Sequence, residues 1–250
     1  MRSTQKVIKY VAMAFAILLT VGIITAIIEI ISLFAGGIGG WNEADISEYK
    51  TFDYAIVETI KLDAHAGSYI IETGDVDEIQ ISYNRESIDV SMENDTTLKI
   101  KSDKFMFRGS NNEKIKIIIP KAMDLKKLDL DIGVGEIEVS NIETAIGKIN
   151  LGVGSIKVKN STMVEGSIDL GIGEINFTGR SDNLYLDNGI GEITATIIGN
   201  IDDYSVKADA GLGDETVNNN SSGNYSNSSA EKKIVADLGI GDIKITFQDE

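Results

Sequence analysis

Acidic side chains recur at fixed spacing through the second half of the chain. Five of the six copies of the pattern Asp-x-Gly-x-Gly-Glu/Asp place one acidic residue before a pair of glycines and a second directly after them, and the second copy has Asn and Ser there. The first row is Asp131, Asn150, Asp169, Asp187, Asp209 and Asp237, and the second row is Glu136, Ser155, Glu174, Glu192, Asp214 and Asp242. Carboxylate oxygens are the ligands that Ca²⁺ prefers in proteins, so calcium binding is the chemistry that this spacing could support.

A purely structural role explains the same residues. An aspartate that opens a glycine turn accepts hydrogen bonds from backbone N–H groups two residues on, and glutamates on a sheet can point into water. The calcium hypothesis holds that millimolar Ca²⁺ binds weakly to the rows and stiffens the protein. Its candidate ligands are Asp169, Glu174, Asp187, Glu192, Asp237 and Asp242. We predict no resident cofactor, with weak Ca²⁺ binding as the alternative.

The sequence offers no recognisable catalytic set. There is no cysteine, and His65 is the only histidine, which excludes thiol nucleophiles and sites built from several histidines. Glycosidases use a unique pair of carboxylates, whereas these carboxylates are the repeat itself. The Gly-x-Gly pairs lack the Lys-Ser/Thr of a nucleotide-binding loop. We therefore predict that the protein is not an enzyme and has no catalytic residues.

The spacing of the copies indicates a solenoid. The first positions of successive copies are separated by 19, 19, 18, 22 and 28 residues. A period near twenty is typical of stacked repeats in which each turn contacts only its neighbours. The longest step contains an Asn/Ser-rich segment, and its composition predicts a flexible loop at 218–230.

Within a copy, apolar and polar residues alternate, which predicts half-buried strands that meet at a glycine corner. Asn188 falls at an inward position that Leu170 and Leu238 occupy in other copies. We also predict that equivalent apolar residues between the glycines stack as a buried column. This column is Val134, Val153, Ile172, Ile190, Leu212 and Ile240.

A degenerate earlier copy lies at residues 62–71, with His65 in place of the first glycine. Strand-like runs at 87–92 and 97–102 flank the turn sequence Glu-Asn-Asp-Thr, which predicts a hairpin. We expect this excursion to cap the open edge of the β structure.

The N-terminus predicts a membrane anchor. The uncharged apolar run Tyr10–Ile28 is about 28 Å long as a helix, close to the ~30 Å hydrocarbon core of a bilayer. Arg2, Lys6 and Lys9 precede it, and the next basic residue is Lys50. The positive-inside rule therefore places the N-terminus inside and the C-terminal domain outside a single-pass protein. A cleaved signal peptide is the alternative, although the run is longer than such peptides require.

The predicted organisation has four parts. They are a short cytoplasmic tail at 1–9, a transmembrane helix at 10–34, a linker at 35–54 and a β-solenoid at 55–248. The net charge is −16, and residues 1–35 carry +2, so the rest carries −18. A domain this acidic repels nucleic acid and anionic lipid, so we predict no nucleic-acid partner.

The order of these features resembles the bacterial putative-adhesin family, a β-strand-repeat domain of unknown function related to the head GIN adhesin domains. The resemblance covers about residues 55–248 and depends on the repeated Gly-x-Gly-Glu/Asp-Ile phrase. It implies an all-β, right-handed, parallel β-helix-like solenoid on the cell surface, preceded by a membrane helix. It brings no catalytic residues.

These features together predict a non-enzymatic, membrane-anchored cell-surface protein that acts as a scaffold or an adhesion and binding module. The predicted partner is a cell-wall polymer or an envelope protein. The alternative is an accessory or sensory component of an envelope-stress response that acts through a membrane partner.

Overall fold

The computed structural model describes residues 49–83, 88–102, 113–221, 223–225, 227 and 229–249. The predicted tail at 1–9, the anchor at 10–34 and most of the linker at 35–54 lie outside these residues. Within the described part of the chain, no helix has the length and apolar character needed to span a membrane. Almost all of the described chain is β-strand, as alternation of apolar and polar residues predicts.

The structure describes thirteen strands. In chain order they are β1 (Lys50–Tyr54), β2 (Thr59–Gly74), β3 (Ile79–Tyr83), β4 (Ile88–Glu93), β5 (Thr97–Ser102), β6 (Glu113–Pro120), β7 (Leu125–Ser140), β8 (Glu143–Arg180), β9 (Asn183–Ile198), β10 (Tyr204–Leu212), β11 (Glu215–Val217), β12 (Asn224–Tyr225) and β13 (Lys232–Gln248). One 3₁₀ turn, Ile201–Asp203, precedes β10.

The long strands stack in parallel as turns of a β-solenoid-like fold, in the order β2, β7, β8, β9, β13 and β10. Strand β8 runs through two complete turns, and Gly171 of its second turn lies against the carbonyl oxygen of Gly152 in its first. The predicted register is confirmed: Asp131 pairs with Asn150, and Asp169 pairs with Asp187.

The chain order and the stacking order differ at the C-terminal end. The repeats predict that the turn of Asp209 follows that of Asp187, but β13 lies between β9 and β10, so Asp237 pairs with both Asp187 and Asp209. That part of the prediction is wrong because the polar segment after β11 is long enough to carry the chain back. As a result, hydrogen-bonded neighbours flank the last strand on both sides.

The predicted hairpin and cap are confirmed at the other end. Strand β4 pairs antiparallel with β5, and Asn94 and Asp95 both have positive φ in the turn between them. Glu93 pairs with Thr97, so three residues form the turn, and Asn and Asp are the non-glycine residues that tolerate positive φ best. Strands β5 and β6 then pair with β2 and cover the edge that β7 leaves exposed.

Inward-facing aliphatic residues form ladders along the stack. One ladder joins Leu62, Leu130, Ile149, Ile168, Leu186, Ala236 and Ala208. Each member is buried. Because a fully buried aliphatic side chain contributes roughly 1.5–3 kcal/mol, these ladders are the main source of stability.

The predicted buried column between the glycines is wrong, although its register is right. Ile190, Ile240 and Leu212 pair in adjacent turns, yet their exposed fractions are 38%, 48% and 68%. Alternation from Ile168 and Leu170 would bury Ile172 as well. The chain bends at the two glycines, however, so the residue between them lies on the convex side of the corner.

Candidate interaction surface

The glycine corner presents five parallel rows on the outside of the solenoid. In one turn of β8 the rows are Asp169, Gly171, Ile172, Gly173 and Glu174. The side chains of Asp169 and Glu174 are exposed, and Ile172 is half-buried between them. The corner therefore carries an apolar row between two rows of carboxylates, with glycine on either side.

Glycine is required at this corner because adjacent turns approach closely. Gly173 has φ +138°, which side chains rarely permit, and a Cβ there would lie 1.7 Å from the carbonyl oxygen of Gly154. The same overlap recurs at Gly135, Gly154, Gly191, Gly213 and Gly241. The glycines therefore serve shape, since they let successive backbones stack at the bend.

The aspartate row continues in register across the stack. Asp187 lies between Asp169 and Asp237 in the adjacent turns. Desolvation raises the pKa of Asp187, and repulsion from Asp169 and Asp237 raises it further. Neighbouring strands are about 4.8 Å apart, so each pair of charges repels by ~0.9 kcal/mol even in water.

One lysine shows how this row accepts a cation. The Nζ atom of Lys207 lies 3.4 Å from Asp209 and 3.6 Å from Asp237, which belong to adjacent turns. Lys207 is an exposed residue of β10, the strand that also carries Asp209, and Asp237 belongs to the adjacent strand β13. A single ammonium group therefore bridges two members of the row.

The second carboxylate row has more local partners. Burial raises the pKa of Glu136, while Lys157 opposes the shift. Thr194 donates a hydrogen bond of 3.0 Å to Glu192, and Asp242 accepts one of 2.9 Å from the backbone N–H of Asp214.

The structure places the six candidate calcium ligands in two separate rows. Asp169, Asp187 and Asp237 form the first, and Glu174, Glu192 and Asp242 form the second. The apolar row and its glycines separate them. Among the residues described, no group of three or more His, Asp or Glu side chains is close enough to hold a metal ion.

His65 occupies the corner of β2, where later turns have glycine. Its Nδ1 is 3.0 Å from the carbonyl oxygen of Ser102. Strand β5 pairs with β2 as far as Ala64, and β6 resumes the pairing at Gly67. The paired strands thus leave room at this corner for a side chain.

Asn188 is the polar residue that the repeat places in the core, and it is 1% exposed. Its Nδ2 donates hydrogen bonds to the carbonyl oxygens of Gly173 at 3.0 Å and Glu192 at 3.4 Å. Its Oδ1 has no hydrogen-bond partner among the described residues. Asn188 therefore ties two turns together at the corner but leaves one buried acceptor unsatisfied.

Two clefts lie away from the glycine corner, and sequence patterns did not predict them. The larger, about 290 Å³, is lined by Thr162, Val164, Arg180, Ser181, Asp182, Ile198, Gly199, Asn200, Asp203, Tyr204 and Lys232. The smaller, about 250 Å³, is lined by Thr73, Ile119, Pro120, Lys121, Met123, Leu125, Asn141, Ile142 and Glu143. Their lining residues come from turns distant in sequence, so no local motif marks them.

The larger cleft contains one ion pair and one cation–ring contact between its own lining residues. Lys232 lies 3.0 Å from Asp182, and its Nζ is 5.4 Å from the ring centre of Tyr204. The hydroxyl of Tyr204 donates a 3.1 Å hydrogen bond to the carbonyl oxygen of Ser181. Burial is the main cause of the raised pKa of Tyr204. The polar lining residues of this cleft therefore contact one another and link neighbouring turns.

Comparison with solved structures finds matches at low sequence identity. A putative cell adhesion protein from Clostridium sporogenes is 17% identical, covers 80% of this chain and 99% of its own, and has a TM-score of 0.49. A putative adhesin from Bacteroides fragilis is 18% identical, with coverages of 81% and 98% and a TM-score of 0.39. A putative lipid binding protein from Parabacteroides distasonis is 16% identical, with coverages of 80% and 96% and a TM-score of 0.37.

No curated protein matches the sequence. The family model described as Toastrack DUF4097 matches residues 57–181, which is half of the chain. This match confirms the resemblance that the repeated glycine phrase predicts. Together with the register and the glycine corners, this match shows that the chain belongs to the Toastrack DUF4097 family.

Proposed function

We propose that the protein is a non-enzymatic binding module, anchored in the membrane and displayed on the outside of a bacterial cell. The observation that carries the proposal is the glycine corner. It repeats an apolar residue flanked by two carboxylates in register on the four adjacent turns of Asp169, Asp187, Asp237 and Asp209. A stack of equivalent groups is suited to many weak contacts with an extended partner.

Repetition makes weak contacts useful. Linked binding events occur at a high effective concentration, so several weak contacts can together give strong attachment. A cell-wall polymer or an envelope protein that runs along the stack would meet one equivalent group about every 4.8 Å. This arrangement supports a role in adhesion or scaffolding better than a role that needs one enclosed pocket.

The anchor part of the proposal comes from the N-terminal sequence. Arg2, Lys6 and Lys9 precede the apolar run and favour an internal N-terminus. The acidic remainder of the chain would then face outward. The non-enzymatic part is supported by the corner carboxylates, which belong to repeated rows, and by His65, whose Nδ1 lies against a backbone carbonyl oxygen.

Binding to envelope material tests the proposal. The full-length chain in non-ionic detergent is mixed with cell-wall and membrane fractions, and the bound amount is measured by sedimentation. We expect saturable binding that survives replacement of residues 10–34 by an unrelated membrane helix. Absence of binding by the wild type would contradict the proposal. If the wild type binds but the chain with the replaced helix does not, the result would support a sensory role through a membrane partner.

A further inference from the structure

We infer that the C-terminal part of the glycine corner binds a basic helical segment of a protein partner. The apolar ridge, defined as Ile190, Ile240 and Leu212, would cover the partner's aliphatic side chains. The flanking carboxylate rows would pair with its Lys and Arg side chains. This inference rests on the proposed function and assigns it a face and a partner chemistry.

The apolar ridge is the part of the apolar row with the greatest exposure. The three residues occupy adjacent turns, and their exposed fractions rise from 38% to 48% to 68% toward the end of the stack. Glycines lie on both sides of each ridge residue, so no neighbouring side chain on the corner covers it. A partner that covers a row of exposed aliphatic side chains removes apolar surface from water, which lowers the free energy of the complex.

The charges beside the ridge define the partner's sign. Asp187 and Glu192 lie on either side of Ile190, and Asp237 and Asp242 lie on either side of Ile240. Lys207 shows that an ammonium group fits between members of the aspartate row in adjacent turns. A basic partner would place further ammonium or guanidinium groups in equivalent positions.

Other occupants fit less well. A second copy of this chain would bring its own carboxylate rows against these, and an anionic lipid surface would be repelled in the same way. A neutral glycan would favour an exposed aromatic ring, but the nearest exposed ring along β9, that of Tyr185, has the Nζ of Lys233 5.8 Å from its centre.

The spacing of the ridge favours a helix over an extended segment. Two steps between turns cover roughly 9.6 Å, compared with about 10.8 Å for two turns of α-helix and about 13.4 Å for two i to i+2 steps of a strand. A helix therefore keeps its apolar stripe on all three ridge residues. Its basic residues, on either side of the stripe, then face the two rows.

A synthetic Leu/Lys peptide of about 14 residues, or four helical turns, is the probe. Leu residues form one stripe, the remaining positions are Lys, and one central Leu is replaced by a photoreactive leucine analogue. The full-length chain in non-ionic detergent is titrated by fluorescence anisotropy and then cross-linked. We expect cross-links at the apolar ridge and no binding by the matching Leu/Glu peptide.

Paired variants separate the ridge from general hydrophobicity. Ile240→Ser with Leu212→Ser should weaken binding about tenfold, because two aliphatic contacts are lost. The control is Ile146→Ser with Val164→Ser, two side chains that are each 43% exposed away from the ridge. It should bind as the wild type does. Asp187→Asn with Asp237→Asn should weaken binding and reduce its sensitivity to salt.

The outcomes distinguish this inference from the proposed function. Equal binding by the ridge and control variants, cross-links elsewhere, or equally tight binding of the Leu/Glu peptide overturns the inference. The envelope-fraction assay is run in parallel on the same variants. If the wild type and the ridge variant bind those fractions equally, the ridge inference falls and the proposed function stands. If the wild type binds neither probe nor fractions, both fall.

Discussion

Gly173 sits so close to Gly154 in the preceding turn that a Cβ on Gly173 would lie 1.7 Å from the Gly154 carbonyl oxygen. The overlap is with backbone, which cannot rotate away as a long side chain could. The backbone of Gly173, at φ +138°, is also one that a side chain strains. Close stacking and backbone conformation thus both require glycine at position 173.

Replacing Gly173 by Ala should therefore be severely destabilising. We expect a loss of about 3 kcal/mol or more in the free energy of unfolding, from steric overlap added to backbone strain. Urea unfolding followed by circular dichroism measures it. Glu165→Ala, on the same strand and exposed, is the control and should change stability by less than about 0.5 kcal/mol. A Gly173→Ala variant as stable as this control would refute the close-packed corner.

Replacement of Asp187 should increase the stability of the protein, in contrast to replacement of Gly173. Its raised pKa means that the folded protein binds the proton more tightly than the unfolded chain, so ionisation of Asp187 costs stability. This destabilisation is absent below the unfolded pKa and develops as the pH rises through the folded pKa. Asp187→Asn should therefore stabilise the protein at pH 7, by no more than about 1 kcal/mol once solvent screening is included.

The comparison for Asp187 is Asp209→Asn in the same row. Asp209 lies beside Lys207, so its removal takes away an attraction and should leave stability unchanged or lower at pH 7. Unfolding of both variants and the wild type is followed at pH 3 and pH 7. If Asp187→Asn gives no gain at pH 7, or an equal gain at both pH values, charge repulsion in the row is not a significant cost.

Asn188 tests the inner side of the corner. Leu170 and Leu238 hold the same position in the adjacent turns, so Asn188→Leu should be at least as stable as the wild type. It removes a buried acceptor that lacks a partner, at the cost of two hydrogen bonds worth about 0.5–1.5 kcal/mol each.

Asn188→Asp should act in the other direction. A carboxylate there would face the carbonyl oxygens of Gly173 and Glu192 in the core, and we expect a loss of more than about 2 kcal/mol at pH 7. Thermal and urea unfolding of the two variants decides the matter. A ranking with Asn188→Asp above Asn188→Leu would contradict the hydrogen bonds described for this side chain.

Calcium should not change the stability of the domain. Ca²⁺ takes roughly six to eight oxygen ligands, and the described residues bring no three acidic or histidine side chains together. The melting temperature should stay within about 1 °C when millimolar CaCl₂ replaces NaCl at constant ionic strength, since only screening acts on the rows. MgCl₂ is the control. A rise in melting temperature specific to Ca²⁺ would contradict this prediction and support the calcium hypothesis for Asp169, Asp187 and Asp237.

Local patterns predicted the elements of this fold well. The alternation around Ile168 and Leu170 located the strands, and the Gly171–Gly173 pair located the corner. The turn at Asn94 and Asp95 located the hairpin. These features depend on residues close together in sequence, where side-chain size and backbone freedom act directly.

The surface chemistry was predicted less well for a physical reason. Period-two alternation assumes a straight strand, and it assigned Ile190 and Ile240 to the core because it does not include the bend at the glycines. The two clefts escaped prediction because Arg180, Asp203 and Lys232 meet only once the turns have stacked.

The sequence by itself determined the repeating unit, which consists of a strand, a glycine corner and a row of acids. These features depend on interactions between residues that are close together in the sequence. Only the tertiary structure decided the order of the turns, with β13 between β9 and β10, and the exposure of the ridge. Both depend on which strands pair across long separations in the chain and on how far each bend turns a side chain toward water.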